Sequence, residues 1–362
     1  MRKFFQYNNY GDADFTTLVE GNLELARQAF EGKKAEDYSE KNRTLLKAMG
    51  KKMVANTGFE AHYESQGLEL FKSPMVNGDI RVRSNFNIVL SEVIKAYIPE
   101  VVNAQFETYL AEVKQIGFGD TAKFKIESND LFKVNSLATG IRKGVDQHMF
   151  DDEITVNTAP LEISTSIDWY SFASGIFDMG NFALKIARSY EAYIFRMIVV
   201  NMLQAESAWG NAYKANGIDV TSFGTLRDRV SAANGGMSVI AIGTRVALAS
   251  CSLQGNYAVE IGEQMNKVGY LDQYLGVPLI GLENPMLPKV VNGDATLALP
   301  NNKIYLIPVG GTKPVKVVFE GNDVSVSFNP EETSDTRYGL TVKIYVGIAA
   351  VCGSKYGTIN LA

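Results

Sequence analysis

Residues 178–209, DMGNFALKIARSYEAYIFRMIVVNMLQAESAW, constrain this chain more than any other stretch. Met179, Phe182, Ala183, Ile186, Tyr190, Tyr193, Ile194, Met197 and Ile198 recur every three or four residues, which lines one face of a helix with apolar groups. Lys185, Arg188, Glu191 and Arg196 fall mostly on the other side. Asp178 is placed to accept a hydrogen bond from a first-turn amide, and Gly210 stands where the helix should stop. The one breaker inside is Gly180, in the first turn, and no proline occurs between Pro160 and Pro278. Such a rod is about 45 Å long. Each large apolar side chain it buries contributes roughly 1.5–3 kcal/mol. It is read here as a scaffold, against the plainer reading of a core helix in an enzyme.

A chain of 362 residues has room for two domains, or for one domain with large excursions. Its 46% hydrophobic and 21% charged residues are those of a globular protein. A net charge of −5 argues against a dedicated nucleic-acid binder, which needs a clustered positive surface. The N-terminus lacks the charged, apolar, small-residue pattern of a secretory leader. The most apolar run, residues 194–203, is broken by Arg196 and Asn201 and is too short to span a bilayer, so no membrane is expected. Two cysteines, Cys251 and Cys352, point to a reducing compartment without a disulfide framework.

Residues 1–58 are polar and lysine-rich with weak helical signals, among them Thr17 and Glu20 at capping-box spacing and a helical run over 40–53. Such a segment builds no core alone and is expected to be an arm lying on something else or a removable leader. Residues 58–79 read as loop and 84–115 as a helix divided at Pro99. From residue 117 to 171 the period changes to two. Lys123-Phe124-Lys125-Ile126-Glu127 alternates, 131–134 reads as a short strand, 139–152 as a polar tip, and Ile154 and Val156 begin the return. After Pro160, Leu161, Ile163, Thr165, Ile167 and Trp169 face one way and Glu162, Ser164, Ser166 and Asp168 the other. Residues 117–171 are thus expected to form one long ribbon, and a two-stranded ribbon is marginal in water unless it lies on a surface. Beyond the rod, Thr225 and Asp228 precede a helix ending near Asn234-Gly235-Gly236. Strands are expected at 238–242, 277–282, 303–308 and 315–319, and helices at 244–253 and 260–274, an α/β pattern. An apolar strand over 340–351 closes the chain.

The search for chemistry finds little. His62 and His148 lack ligand partners at metal spacing, so neither a metal nor another cofactor is expected. Gly310-Gly311-Thr312-Lys313 lacks phosphate-loop spacing and runs into Pro314. Cys251 and Cys352 lie in apolar runs and read as small core residues. Asp151-Asp152-Glu153 reads as a solvated face or half of an intersubunit ion pair. Many elements need support and almost none carries a reaction. The simplest partner to supply that support is another copy of the chain.

The order of parts, together with local strings, resembles the major capsid proteins of tailed bacteriophages, a fold shared with encapsulin shells and herpesvirus capsid floors. The strings are Ile242-Gly243-Thr244-Arg245-Val246-Ala247-Leu248, like "IGTRxAL"; Tyr274-Leu275-Gly276-Val277-Pro278-Leu279-Ile280, like "YxGxPxI"; Asn301 to Pro308; and Tyr345 to Val351 ahead of Gly357-Thr358-Ile359. The resemblance implies an α+β fold with an N-terminal arm (1–79), a helical segment of the peripheral domain (80–116), an extended β-hairpin loop (117–171), a long spine helix (172–220), an α/β axial domain (221–308) and closing strands (309–362). It implies hexamers and pentamers of this chain in an icosahedral shell around double-stranded DNA, which is met by non-specific contact. It further implies location in the virion after assembly in the host cytoplasm, and portal, scaffold or decoration proteins as further partners. Some family members crosslink through a lysine of the extended loop, a role that no motif here assigns to Lys123, Lys125 or Lys143. Arg142, Lys143, Asp151, Asp152 and Glu153 are the expected interface residues, with no catalytic, cofactor or metal site. The rival readings are an encapsulin-like compartment and an α/β enzyme with an uncommon site.

Overall fold

The computed structural model describes residues 13–30, 36–91, 110–127, 132–134, 147, 151–208, 210–252, 267–288, 296–310, 312–328, 337–350 and 354–361. The long periodic stretch is one helix, named α7 below, running Met179–Ala208. Asp178 caps it, its Oδ1 accepting the Asn181 N–H at 2.9 Å and the Tyr38 hydroxyl at 2.7 Å. The helix is buried on more than the expected stripe: Leu184, Ala192, Phe195, Val199 and Met202 are covered as well, whereas Tyr193 is exposed. The reason is that it is covered by three things: an N-terminal helix, a four-stranded sheet and a six-stranded sheet.

That N-terminal helix is α1, Ala13–Phe30, followed by α2, Tyr38–Met53. Leu18 and Val19 of α1 and Leu46, Met49 and Met53 of α2 belong to the same core as α7. The described part of the expected arm therefore lies on its own body. Pairs such as Leu46 and Met49 carry the helical period that marked the run over 40–53, and they turn it onto the core. Thr17 sits inside α1, not at its start. Residues 58–79, expected as loop, form α3 (Glu60–Gln66), a 3₁₀ turn (Gly67–Lys72) and α4 (Pro74–Gly78), with residues 80–91 continuing as α5. Their punctuation is real: Gly67 takes a positive φ of 62° between two turns. What overrides the loop reading is burial of Tyr63, Leu68, Leu70, Phe71 and Val76.

The four-stranded sheet has the order β1 (Ala111–Ile116), β10 (Val315–Phe328), β11 (Arg337–Ala350), β4 (Ala159–Asp168). Two expectations fall here. Residues 111–115 are strand, not the end of a helix, because Ala111 to Ile116 pair in parallel with Val315 to Glu320. Residues 159–168 are not ribbon: they pair antiparallel with Arg337 to Val346, so their apolar face closes the core. Trp169 then opens α6, Trp169–Ala173, capped by Asp168. Tyr190 of α7 donates its hydroxyl proton to the Val342 carbonyl at 2.6 Å, which ties the rod to this sheet.

The second sheet has the order β5 (Lys214–Asn216), β12 (Gly357–Asn360), β9 (Lys303–Pro308), β6 (Val239–Thr244), β8 (Val277–Leu282), β7 (Gln273–Tyr274). Its central strands β6 and β9 read as mainly apolar runs because both faces are covered. Val239, Ala241, Ile304 and Leu306 pack under α8 (Val220–Ala233) and α9 (Arg245–Ser252), while Ile240, Ile242, Tyr305 and Ile307 join the core around α7. α8 starts earlier than Thr225, at a cap where Asp219 accepts the Ser222 N–H at 2.6 Å. Residues 273–274 are strand, not helix, and 253–266 lie outside the described residues. The C-terminal strand completes this sheet, and Tyr356 donates to the Met202 carbonyl of α7 at 2.5 Å. Lys303 pairs with Glu206 at 3.1 Å across the same junction.

Glu191, expected on the polar side of α7, is partly covered. Burial pushes its carboxyl up to about 7, helped by the negative charge of Glu283 and opposed by Arg188. A folded-state value above the ordinary 4.5 means the folded chain holds the proton more tightly than the unfolded one. Its effect is therefore least costly below about pH 4.5, and stability declines as pH rises through about 7. Glu191→Gln removes that ionisation and is expected to stabilise the subunit by about 1–2 kcal/mol at pH 8. The gain should vanish near pH 4.5, as read by thermal unfolding of the two proteins at both pH values.

Candidate functional site

The described element that departs from the two sheets is the ribbon of β2 (Ala122–Glu127) and β3 (Asp151–Val156). They pair antiparallel, with Phe124 opposite Ile154 and Glu127 opposite Asp151. β3 starts at Asp151, three residues earlier than expected, because the acidic run pairs with β2 instead of forming a tip. Phe132 to Val134 are not in a strand. The two legs remain neighbours there: the Gln147 side chain accepts the Lys133 N–H and donates to the Lys133 carbonyl, both at 2.7 Å.

Alternation turns Phe124 toward β10. It is buried with Ala122 and Val156 against Val318, and Ile116, Ile154 and Ala349 pack around them. The Lys114 and Lys316 ammonium groups each lie 5.5 Å from the Phe124 ring centroid, within cation–π range. The Lys316 side chain is only 1% exposed and pairs with Glu112, its neighbour in register on β1. A buried ammonium stripped of its carboxylate costs several kcal/mol, which fixes this corner of the sheet.

Glu320 holds both legs of the ribbon. One carboxylate oxygen accepts the Gly119 N–H at 2.9 Å, just ahead of β2. The other accepts the hydroxyl of Thr158, just after β3. Those two donors, the Thr158 hydroxyl first, hold the Glu320 carboxyl below its ordinary value, so their contribution is present at neutral pH and is lost as pH falls through the folded-state value. Gly347 of β11 allows the exit leg to cross: a Cβ there would lie 2.6 Å from the Asn157 carbonyl oxygen and 3.0 Å from Val156 Cγ1. Farther out, Phe132 is 59% and Val134 93% exposed. The base of the ribbon thus lies on its own subunit, contrary to the expectation that the whole stretch needs another copy, whereas its outer part presents uncovered apolar groups.

Of the expected interface residues, Arg142 and Lys143 lie outside the described residues. Asp151 and Asp152 are in β3. Glu153 is exposed and pairs with Lys123 of its own chain at 3.3 Å, a surface pair worth under about 1 kcal/mol. Glu320, Thr158, Gly347 and Lys316 were not legible. In Val315-Lys316-Val317-Val318-Phe319-Glu320 the alternation marks Lys316 and Glu320 as a solvent face, and the ribbon that covers it comes from some 200 residues away in sequence.

His62 is exposed on α3, and His148 lies outside the described residues. Burial in α9 pushes the Cys251 thiol up to about 12, far from a nucleophile's range; Cys352 lies outside the described residues. Among the described residues no three His, Cys, Asp or Glu side chains gather as a metal site, and no helix is long and apolar enough to cross a membrane.

A family model described as "SPbeta prophage-derived putative capsid protein YonB" matches residues 20–360, nearly the whole chain. The chain belongs to this family. It is a phage capsid-protein family, so the role it assigns is structural. No curated protein matches the chain. Among solved structures, the mature capsid of bacteriophage PhiM1 is similar at 10% identity and a TM-score of 0.42, covering 69% of this chain and 85% of that one. The capsid of the native GTA particle is similar at 13% and 0.45, covering 72% and 90%. A virus-like particle from Pyrococcus furiosus is similar at 13% and 0.42, covering 75% and 99%. The YonB family match carries the assignment.

Proposed function

We propose that this protein is a major capsid protein, a subunit that assembles with copies of itself into the shell of a phage head and catalyses no reaction. The match to the YonB capsid family over residues 20–360 carries the reading. The ribbon supports it, because its root is fixed to the body while Phe132 and Val134 remain uncovered. In the finer picture the subunits form hexamers and pentamers of an icosahedral shell in the virion. The shell encloses double-stranded DNA held by non-specific contact and is built in the host cytoplasm, where portal, scaffold or decoration proteins join it. The proposed division is a peripheral body around the spine helix, an axial domain, and an extended loop reduced to its outer part, about residues 117–156. Arg142, Lys143, Asp151 and Asp152 are proposed as contacts with a neighbouring subunit, and Glu153 as one that exchanges Lys123 for a partner.

Negative-stain images of the purified full-length chain test this. Shells, tubes, or rings of five or six subunits are the expected result. A homogeneous monomer at every concentration and salt tried overturns it. Nucleic acid inside such particles in infected cells, as opposed to a cargo enzyme, separates a phage head from an encapsulin-like compartment.

A further inference from the structure

We propose that Glu320 is the positioning residue of the ribbon, a latch that presets its angle within the subunit before any neighbour is met. This rests on the reading of the ribbon as an assembly element.

A two-stranded ribbon joined to a body only through its two ends swings about those ends. Three features remove that freedom here. Glu320 bridges the ends, taking one hydrogen bond from Gly119 ahead of β2 and one from Thr158 after β3. Bonds of this kind to a carboxylate are stronger than neutral ones. Glu320 sits on β10 where its register with β11 shifts, between Glu320 and Ser325, a place where a strand bends and can re-aim a side chain. At Gly347 the exit leg runs against β11 with no space for a methyl group. Phe124 fills the angle between ribbon and sheet against Val318. The turn Gly117-Phe118-Gly119-Asp120 is itself closed by the Asp120 N–H on the Gly117 carbonyl at 3.1 Å, with Gly119 at a φ of +83°, so the amide that Glu320 accepts is held in place.

The chemistry separates hydrogen bonding from charge. A glutamine at 320 still accepts the Gly119 amide through its oxygen and donates through its amide nitrogen to the Thr158 oxygen. Alanine makes neither bond. Valine at 158 removes one of the two while keeping the shape. The expected order of ribbon order and of assembly therefore has wild type highest and Glu320→Ala lowest, with Glu320→Gln, which keeps two weaker neutral bonds, and Thr158→Val, which keeps one bond to the carboxylate, between them.

The test is amide hydrogen exchange of the full-length chain, unassembled, followed by assembly of the same samples. In Glu320→Ala the β2 and β3 amides should exchange about ten times faster or more, with the amides of α7 and β6 unchanged. The protein concentration needed for particles should rise by a similar factor. Glu320→Gln should fall clearly between wild type and Glu320→Ala in both readouts. Unchanged exchange in Glu320→Ala, or a glutamine variant as loose as the alanine one, overturns the latch. Should Glu320→Ala not fold, Thr158→Val carries the same test at the exit-leg end of the contact, and unaltered β2 and β3 exchange there overturns it. Faster exchange with unaltered assembly supports the latch and instead sinks the ribbon as an assembly element.

Discussion

Replacing residues 128–150 by a two-residue Asn-Gly turn should abolish particle formation and shift the unfolding temperature of the subunit by no more than about 2 °C. The register makes this cut clean. Glu127 and Asp151 face each other across the ribbon, and a two-residue type I′ turn closes a hairpin at such a pair. Every group that anchors the root survives: Phe124, Val156 and Val318 in their cluster, and Glu320 on Gly119 and Thr158. What is lost includes the exposed Phe132 and Val134, together with residues 135–146, which lie outside the described residues. None of these contributes to the described core, so stability should hardly notice. Assembly should notice fully, because an intersubunit element has no substitute within one chain. Sedimentation and electron microscopy read the loss, and calorimetry reads the stability. Shells of normal size from the shortened chain would show that the ribbon is not what joins subunits.

Trp169→Ala should have the opposite signature, a large loss of stability before assembly is even in question. Trp169 stands edge-on to Phe71 and Phe86, with ring centroids 5.8 and 5.7 Å away, and stacks on Phe172 at 5.6 Å. Its Nε1–H donates to the Phe71 carbonyl at 2.8 Å. Truncating a buried aromatic of this size costs about 3–5 kcal/mol, and the orphaned carbonyl adds about 1 kcal/mol or more. On a domain of some 200 residues this lowers the unfolding temperature by roughly 10 °C or more. The cluster joins the 3₁₀ turn, α5 and α6, so its loss loosens those three elements from one another. Retention of the wild-type melting temperature would show that these rings do not hold that layer.

Much of the frame was legible from residues alone. The spine helix was found almost to the residue because one period ran unbroken from a capping aspartate to a glycine. β6, β8 and β9 were found because strands covered largely on both faces are short, mainly apolar runs. The capsid-like resemblance rested on those same segments, and the YonB family match agrees with it. The helices of residues 13–79 were undervalued because their period is weak, and they contain Gly21 and Gly50, glycine being a poor helix former. Those glycines sit where a side chain would strike Leu45 and Tyr63, so they are places of close packing.

The sequence alone decided local period, the long helix α7 and the strands β6, β8 and β9, since these depend on neighbours a few residues apart. Tertiary structure decided which strands share a sheet, that residues 13–91 lie on their own subunit, and that Lys316 and Glu320 are covered at all. Those outcomes depend on contacts between residues up to some 200 positions apart, such as Gly119 with Glu320. No local pattern can announce them, because alternation shows which side chains share a face and cannot show what will come to lie on it.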